Sequence, residues 1–166
     1  RRWRRDRPRP EDRPFEDDRP PPPPPPPPDE EERRRGGVFL DNSAMIALAM
    51  RRIDVIALVR GRQLFTSATA LAEFETSVMA RANTAEIAAA MMLMSQLTVV
   101  PDAPSARVMA MAQTGAFGIN DRLIFGTADA MNMEIITGDA AFRNAAAAQG
   151  LRLNITVFQP GARFGE

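Results

Sequence analysis

Five short apolar runs, each three or four residues long, occur after residue 37 and limit the folds open to the chain. They are VFL at 38–40, LFT at 64–66, LTVV at 97–100, EIIT at 134–137 and ITVF at 155–158. Runs rich in β-branched and aromatic residues are typical of buried strands. The segments between them are long enough for helices. Strands separated by helices predict an α/β fold with a mainly parallel sheet and helices on both faces.

Helical periodicity fills the intervals between these strands. Leu71, Phe74 and Val78 recur at spacings of three and four, which predicts a helix over about 69–80. Asn120 is the predicted cap of a later helix that ends near 131. The other predicted helices cover 43–50, 53–60, 84–96, 105–114 and 140–148. One domain over residues 38–166 is expected, because about 130 residues can bury a single core.

Two carboxylates follow predicted strands directly. Asp41 comes after VFL, and Asp139 comes after EIIT with only Gly138 between. In parallel α/β sheets the ligand crevice lies beyond these strand ends, so both side chains should point into it. Asp121 lies in the first turn of its helix, where the helix dipole favours an ionised carboxylate. Glu73, one turn into the helix after LFT, is placed to reach the same rim.

These acids together predict a metal site. Four carboxylates this close would repel one another, and they stay ionised only with a cation among them. Hard oxygen ligands of this kind suit Mg²⁺ or Mn²⁺. The chain has no cysteine, which excludes a zinc finger and a thiol nucleophile, and no histidine or lysine to serve as the base of a serine hydrolase. The predicted ligands are Asp41, Glu73, Asp121 and Asp139.

The order and spacing of these motifs resemble those of the PIN domain family of metal-dependent ribonucleases. The resemblance covers nearly all of 38–166 and implies a compact three-layer α/β/α sandwich whose acids bind one or two Mg²⁺ or Mn²⁺ ions and cut RNA phosphodiesters. Ser43 and Thr137 match the family's hydroxyl residues, which would orient a carboxylate or a water at the metal. The matching segments are Asp41-Asn42-Ser43, Glu73, Asp121 and Thr137-Gly138-Asp139.

All 21 basic residues are arginines, and they are balanced by 21 acids. This balance excludes the strongly basic footprint of a passive nucleic-acid binder. Any contacts with RNA must therefore be local, through arginines near the rim of the crevice that bind flanking phosphates bidentately. The candidates are Arg51, Arg52, Arg122 and Arg143, and for each the alternative is a solvated surface side chain.

Residues 1–37 are almost wholly Arg, Asp, Glu and Pro, with an unbroken proline run from Pro20 to Pro28. So little apolar surface cannot offset chain entropy, and this segment is expected to remain unfolded. The proline run predicts an extended polyproline II spacer, with docking to an SH3-like partner as the alternative. No apolar run in the sequence reaches the length of a membrane span, and no membrane association is expected.

The biological role follows from the resemblance and from the position of the domain. The chain begins at an arginine and is expected to be the tail of a longer protein. A PIN-like domain behind such a spacer resembles the toxic C-terminal domain of a larger bacterial toxin, delivered by secretion and acting in the cytoplasm on tRNA or another structured RNA. An immunity or antitoxin protein would neutralise it.

Three alternatives to this role remain open. The first is a toxin of the toxin–antitoxin type, and the second is a housekeeping RNA-processing nuclease. The third is a catalytically silent PIN-like module that binds RNA or protein. The helical stretch AAAMMLM at 88–94 is apolar around its whole circumference. One side of it is therefore available to a homodimer or to an inhibitor protein.

Overall fold

A computed structural model of the chain describes residues 20–24, 36–161 and 163–165. Pro20–Pro24 are exposed and belong to no helix or strand. Apart from these prolines and the two glycines before the first strand, the predicted unfolded segment lies outside the described residues.

Strands and helices alternate along the described chain. The strands are β1 (Val38–Leu40), β2 (Leu64–Ser67), β3 (Leu97–Val100), β4 (Ile135–Thr137) and β5 (Ile155–Val157). The helices are α1 (Asn42–Ala49), α2 (Ile53–Val59), α3 (Ala68–Arg81), α4 (Thr84–Gln96), α5 (Ala106–Met109), α6 (Ile119–Ala130) and α7 (Ala141–Ala148). The longest, α3, has 14 residues. None of the described helices has the length and apolar character needed to cross a membrane.

The strands form one parallel sheet in the order β3-β2-β1-β4-β5. At its centre, Val38 of β1 pairs with Leu64 of β2, and Phe39 pairs with Ile135 of β4. The chain first builds outward from β1 to β3, then returns to the other side of β1 to add β4 and β5. Right-handed crossovers in opposite directions place helices on opposite faces of the sheet. The predicted α/β class with a parallel sheet is confirmed.

The reversal of strand order determines where a ligand crevice opens. In doubly wound sheets the crevice lies outside the carboxyl ends of the two strands that flank the reversal, which here are β1 and β4. Both strands are buried, with Phe39, Leu40 and Ile136 at 0% exposure. Burying each such side chain stabilises the fold by about 1.5–3 kcal/mol. The core therefore holds the two strand ends in fixed positions.

The helix predicted over 105–114 is wrong in its length, because α5 ends at Met109. Residues 110–118 form a loop instead. The guanidinium of Arg122 donates from Nη1 to the carbonyl oxygens of Met109 and Met111, both at 2.8 Å. A continued helix would need those oxygens as acceptors for N–H groups four residues later. A contact from α6, which local periodicity does not reveal, therefore ends α5.

Candidate active site

Asp41 lies between the end of β1 and the start of α1, which it caps. Its Oδ1 accepts hydrogen bonds from the Ala44 N–H at 2.9 Å and from the Ser43 hydroxyl at 2.7 Å. Its Oδ2 accepts from the Thr137 hydroxyl at 2.5 Å. The Asp41 carboxylate is thereby held by β1, α1 and β4 at once, at the predicted crevice.

The two hydroxyls that contact Asp41 are each held by a further hydrogen bond from a backbone N–H. Ser43 Oγ accepts from the Gly138 N–H at 2.8 Å, and Thr137 Oγ1 accepts from the Asp139 N–H at 3.1 Å. A hydroxyl has a single proton, and in each case it is directed at the carboxylate. The structure thus places the hydroxyls of Ser43 and Thr137 in contact with the Asp41 carboxylate.

Burial raises the pKa of Asp41 from 3.8 to about 6, even though the bonds from Thr137, Ser43 and Ala44 lower it. The negative charge of Asp121 raises this pKa further, so the two carboxylates lie within electrostatic reach of each other. Asp41 is 9% exposed. A buried acid beside a second acid is a site that a cation would stabilise.

Asp121 and Glu73 are held by the beginning of α6. Asp121 Oδ2 accepts from the Gly118 N–H at 3.1 Å, and Gly118 is the residue that caps the helix. The prediction that Asn120 is the cap is therefore wrong. Asn120 lies in the first turn, and its Nδ2 donates to Glu73 Oε1 at 3.1 Å. It connects α6 to α3, and no pattern in the sequence indicated this contact.

Asp139 is exposed at the mouth of a cleft of about 520 Å³. Its Oδ1 accepts from the Ala141 N–H at 2.8 Å at the start of α7. Glu73 and Asn120 line a second cleft of about 560 Å³. Asn42, Thr76 and Ser77 line both clefts. Of the four predicted acids, Asp139 therefore lines one cleft and Glu73 the other, while Asp41 and Asp121 line neither.

The fit of these residues to a divalent cation depends on how many ligands the protein must supply. In the described part of the chain, no three acids lie close enough together to hold a metal ion by themselves. Mg²⁺ commonly takes one or two carboxylates and completes its shell with waters and substrate phosphate, so two carboxylates such as Asp41 and Asp121 would suffice for it. The Asn42 amide oxygen is buried and has no hydrogen-bond partner among the described residues. An unpaired amide oxygen is a hard ligand of the kind that Mg²⁺ binds.

The predicted phosphate-binding arginines occupy different places. Arg122 is 7% exposed, donates to Gln113 Oε1 at 3.0 Å as well as to backbone carbonyls, and lies over the Phe117 ring. Its buried guanidinium holds the loop together and is not available to RNA. Arg143 is exposed on α7, and Arg51 lines an apolar groove that contains none of the four acids. Arg52 alone among the four lines the cleft of Asp139.

Two further arginines, Arg81 and Arg163, line this cleft and were not predicted. Arg81 ends α3, two turns after Glu73, so the sequence was enough to place both residues on a similar face of the helix. The sequence could not show that Arg81 lines a cleft, because the opposite wall of the cleft is the segment after β5. Only the folded chain brings these parts together.

Two solved structures share this fold. The crystal structure of VapBC2 from Rickettsia felis, bound to a DNA fragment from their promoter, matches with a TM-score of 0.52 at 15% identity, over 72% of this chain and 97% of that one. The structure of PAE2754 from Pyrobaculum aerophilum matches with a TM-score of 0.50 at 17% identity, over 67% of this chain and 80% of that one. These likenesses show the fold alone. A family model described as "Protein of unknown function (DUF1308)" matches residues 49–163, and the chain belongs to that family.

Proposed function

We propose that the chain is a Mg²⁺- or Mn²⁺-dependent endoribonuclease. The supporting observation is the buried carboxylate of Asp41, held by three hydrogen bonds at the strand-order reversal and within electrostatic reach of Asp121. Burying a carboxylate beside another is unfavourable unless a cation offsets it. Perturbed carboxylates in a crevice are typical of functional sites. The sequence resemblance to PIN ribonucleases supports RNA as the substrate.

Asp41, Asp121 and the Asn42 amide oxygen are the groups that would hold the cation. The cation would acidify a water and offset the negative charge that develops on the phosphate. Ser43 and Thr137 keep the Asp41 carboxylate in one orientation, so it does not reorganise during the reaction. The Asn120 amide does the same for Glu73. Because the chain has no histidine, a carboxylate or solvent must accept the proton. The expected products carry a 5′-phosphate and a 3′-hydroxyl.

Cleavage of total RNA tests this proposal. The whole chain is incubated with RNA in Mg²⁺ or Mn²⁺ and, separately, in EDTA. We expect discrete fragments only with metal, and a loss of about a hundredfold or more in the Asp121→Asn variant. Glu75→Gln is the matched control, since Glu75 is an exposed acid on α3, two residues from Glu73. It should cut as the wild type does.

A negative result has a definite meaning. If the wild type is folded by circular dichroism and cuts nothing with either metal, the ribonuclease proposal is wrong. The alternative function is then a silent module that binds RNA or protein. Equal cleavage by wild type and Asp121→Asn would show that a contaminating nuclease is responsible.

A protein partner is the second part of the proposal. Met79, Ile87, Met91 and Met92 on α3 and α4 are between 39% and 87% exposed. A second copy of the chain or an inhibitor protein would remove this apolar surface from water. The resemblance to toxin-type PIN domains supports an inhibitor, and a cytoplasmic RNA target such as tRNA. Light scattering gives the molar mass of the purified chain in solution. A dimer mass would support a homodimer, and a monomer mass would leave this surface to an inhibitor protein.

A further inference from the structure

The chain carries an unbroken run of nine prolines, from Pro20 to Pro28, that the proposed ribonuclease does not use. Proline fixes φ at about −65° and has no N–H, so such a run favours the polyproline II helix. At about 3.1 Å per residue, the run is about 28 Å long. In its described part, Pro20–Pro24, every residue is exposed and none belongs to a helix or strand. These prolines are therefore accessible to a partner.

The run joins the domain at the end of the sheet that lies away from the acids. Gly36 and Gly37 precede β1, whereas Asp41 follows it. Because all the strands of the sheet are parallel, the chain enters at their amino ends, and the crevice opens beyond their carboxyl ends. A protein bound to the prolines is therefore tethered to the edge of the sheet opposite the crevice.

Arg62 fixes the point at which the chain enters the sheet. Its Nε and Nη2 donate to the carbonyl oxygens of Gly36 and Gly37 at 3.3 and 3.2 Å. Its Nη1 donates to Glu134 Oε1 at 2.5 Å, and the Arg62 side chain is 8% exposed. A Cβ on Gly37 would lie 2.6 Å from the Phe65 ring, so a larger residue would displace that ring. The fold therefore holds the last two residues before β1 in place.

The charges at the two ends of the run give it a direction. Arg19 precedes the first proline, and the four residues after the last proline, at 29–32, are all acidic. A polyproline II helix has three residues per turn, so residues three apart lie on the same side. Arg19, Pro22 and Pro25 have this spacing. A groove with an acidic rim would attract the arginine and repel the acids, which favours one orientation of the run.

The composition around the run narrows the class of partner. SH3, WW and EVH1 domains bind proline-rich segments in grooves lined by aromatic side chains. A ligand that also needs its own aromatic anchor must carry that residue beside the prolines. Here the chain has no tyrosine, and Phe15 lies four residues before Arg19. Recognition must therefore depend on the prolines and the arginine, which favours an SH3-type groove.

We propose that the proline run is a docking segment for a protein domain of the SH3 type, with an aromatic-lined groove and an acidic rim. Pro22 and Pro25 enter the groove, and Arg19 pairs with a carboxylate at its rim. Because the run is stiff before it binds, little conformational entropy is lost. The bound domain localises the chain and leaves the crevice open. This inference is independent of the proposed ribonuclease function.

Isothermal titration calorimetry of the full chain tests the proposal. The probes are purified SH3 domains from a panel that prefers ligands in which arginine precedes two prolines at spacings of three. We expect one bound domain per chain, and Arg19→Gln should raise the dissociation constant about tenfold. Arg143→Gln is the matched control, because it removes the same charge from the exposed surface of α7. It should leave the dissociation constant unchanged.

Two double variants test which side of the helix is bound. Pro22→Ala with Pro25→Ala removes prolines on the side of Arg19 and should weaken binding at least about tenfold. Pro20→Ala with Pro23→Ala removes the same number of prolines from a different side. It should weaken binding by less than about threefold, although it shortens the unbroken run equally.

Each outcome decides the inference. Failure of the full chain to bind any SH3 domain of the panel would overturn it, and so would equal binding by the two double variants. Binding that is indifferent to Arg19→Gln would also overturn it, since the groove would then lack an acidic rim. The predicted pattern of affinities in a chain that never cleaves RNA would uphold the docking segment and reject only the ribonuclease.

The open crevice has its own test in a chain that cleaves RNA. A saturating amount of the bound SH3 domain should leave the rate of cleavage unchanged, because the run joins the domain at the other end of the sheet. Inhibition of cleavage by the bound domain would overturn the claim that docking leaves the crevice open.

Discussion

At the scale of single residues, the Asp41 carboxylate makes more contacts than a local helix cap requires. An Asp after a strand usually serves as a turn or cap residue, and Asp41 does accept from the Ala44 N–H. It is also buried, contacted by Thr137 from β4, and repelled by Asp121. A cap alone needs neither burial nor a second acid. The burial of Asp41 and the nearby charge of Asp121 support the proposed role of Asp41 in binding a cation.

The raised pKa of Asp41 makes metal-free stability depend on pH. Below about pH 4 the carboxyl is protonated in both folded and unfolded chains. As pH rises, the unfolded chain loses this proton first, while the folded chain keeps it until pH rises through its pKa of about 6. Stability from this group therefore falls across that interval, by about 3 kcal/mol at most. Urea unfolding in EDTA at several pH values measures it.

Asp41→Asn is the control for this pH effect. An amide does not titrate, so the difference in unfolding free energy between wild type and variant should change across the same interval. The wild type should become less stable relative to the variant as pH rises. If the difference in unfolding free energy stays constant with pH, Asp41 is not the acid that causes the pH dependence of stability.

At the scale of elements, a buried arginine determines where α5 ends and how α6 begins. Arg122 of α6 donates to carbonyl oxygens of Met109 and Met111 and to Gln113, which closes the loop over 110–118. Asp121, the adjacent residue, accepts a hydrogen bond from the N–H of Gly118, the cap of the same helix. The loop and a predicted metal ligand are therefore held by one turn of α6.

Replacing this arginine should destabilise the protein strongly. Arg122→Gln leaves the buried carbonyl oxygen of Met111 and the partly buried one of Met109 without this donor, which we expect to cost about 2–4 kcal/mol. Arg143→Gln on the exposed face of α7 should change stability by less than about 0.5 kcal/mol. Denaturant unfolding of the two variants gives the comparison. Equally small losses of unfolding free energy in both variants would mean that the loop does not need Arg122 to keep its conformation.

At the scale of the whole molecule, the order of the strands brings the site together. Thr137 and Asp41 are separated by 96 residues, yet their side chains are in contact because β4 returns to the side of β1. Glu73 and Asn120, 47 residues apart, meet across α3 and α6. Two clefts open from this junction and share Asn42. Asp41 and Asp139 thus follow neighbouring strands of the sheet, while Glu73 and Asp121 come from helices α3 and α6.

Cation binding should therefore stabilise the entire fold. Mg²⁺ at a hundredfold excess over its dissociation constant would add about 2.7 kcal/mol to the unfolding free energy. The gain should be larger at pH 7 than at pH 5, because protons compete for the buried carboxylate. Thermal unfolding with Mg²⁺ and with EDTA measures this gain, which Asp41→Asn should abolish and Glu75→Gln should preserve. An identical gain in all three proteins would place the cation elsewhere.

The sequence by itself determined the five strands, the parallel α/β class and the positions of Asp41 and Asp139 at strand ends. These depend on short apolar runs and on the residue that follows each run, and both are local. The length of α5, the true cap of α6 and the internal role of Arg122 were decided by the tertiary structure. So was the cleft that joins Arg81 to the last segment. Each depends on contacts between distant residues, whose partners local periodicity does not specify.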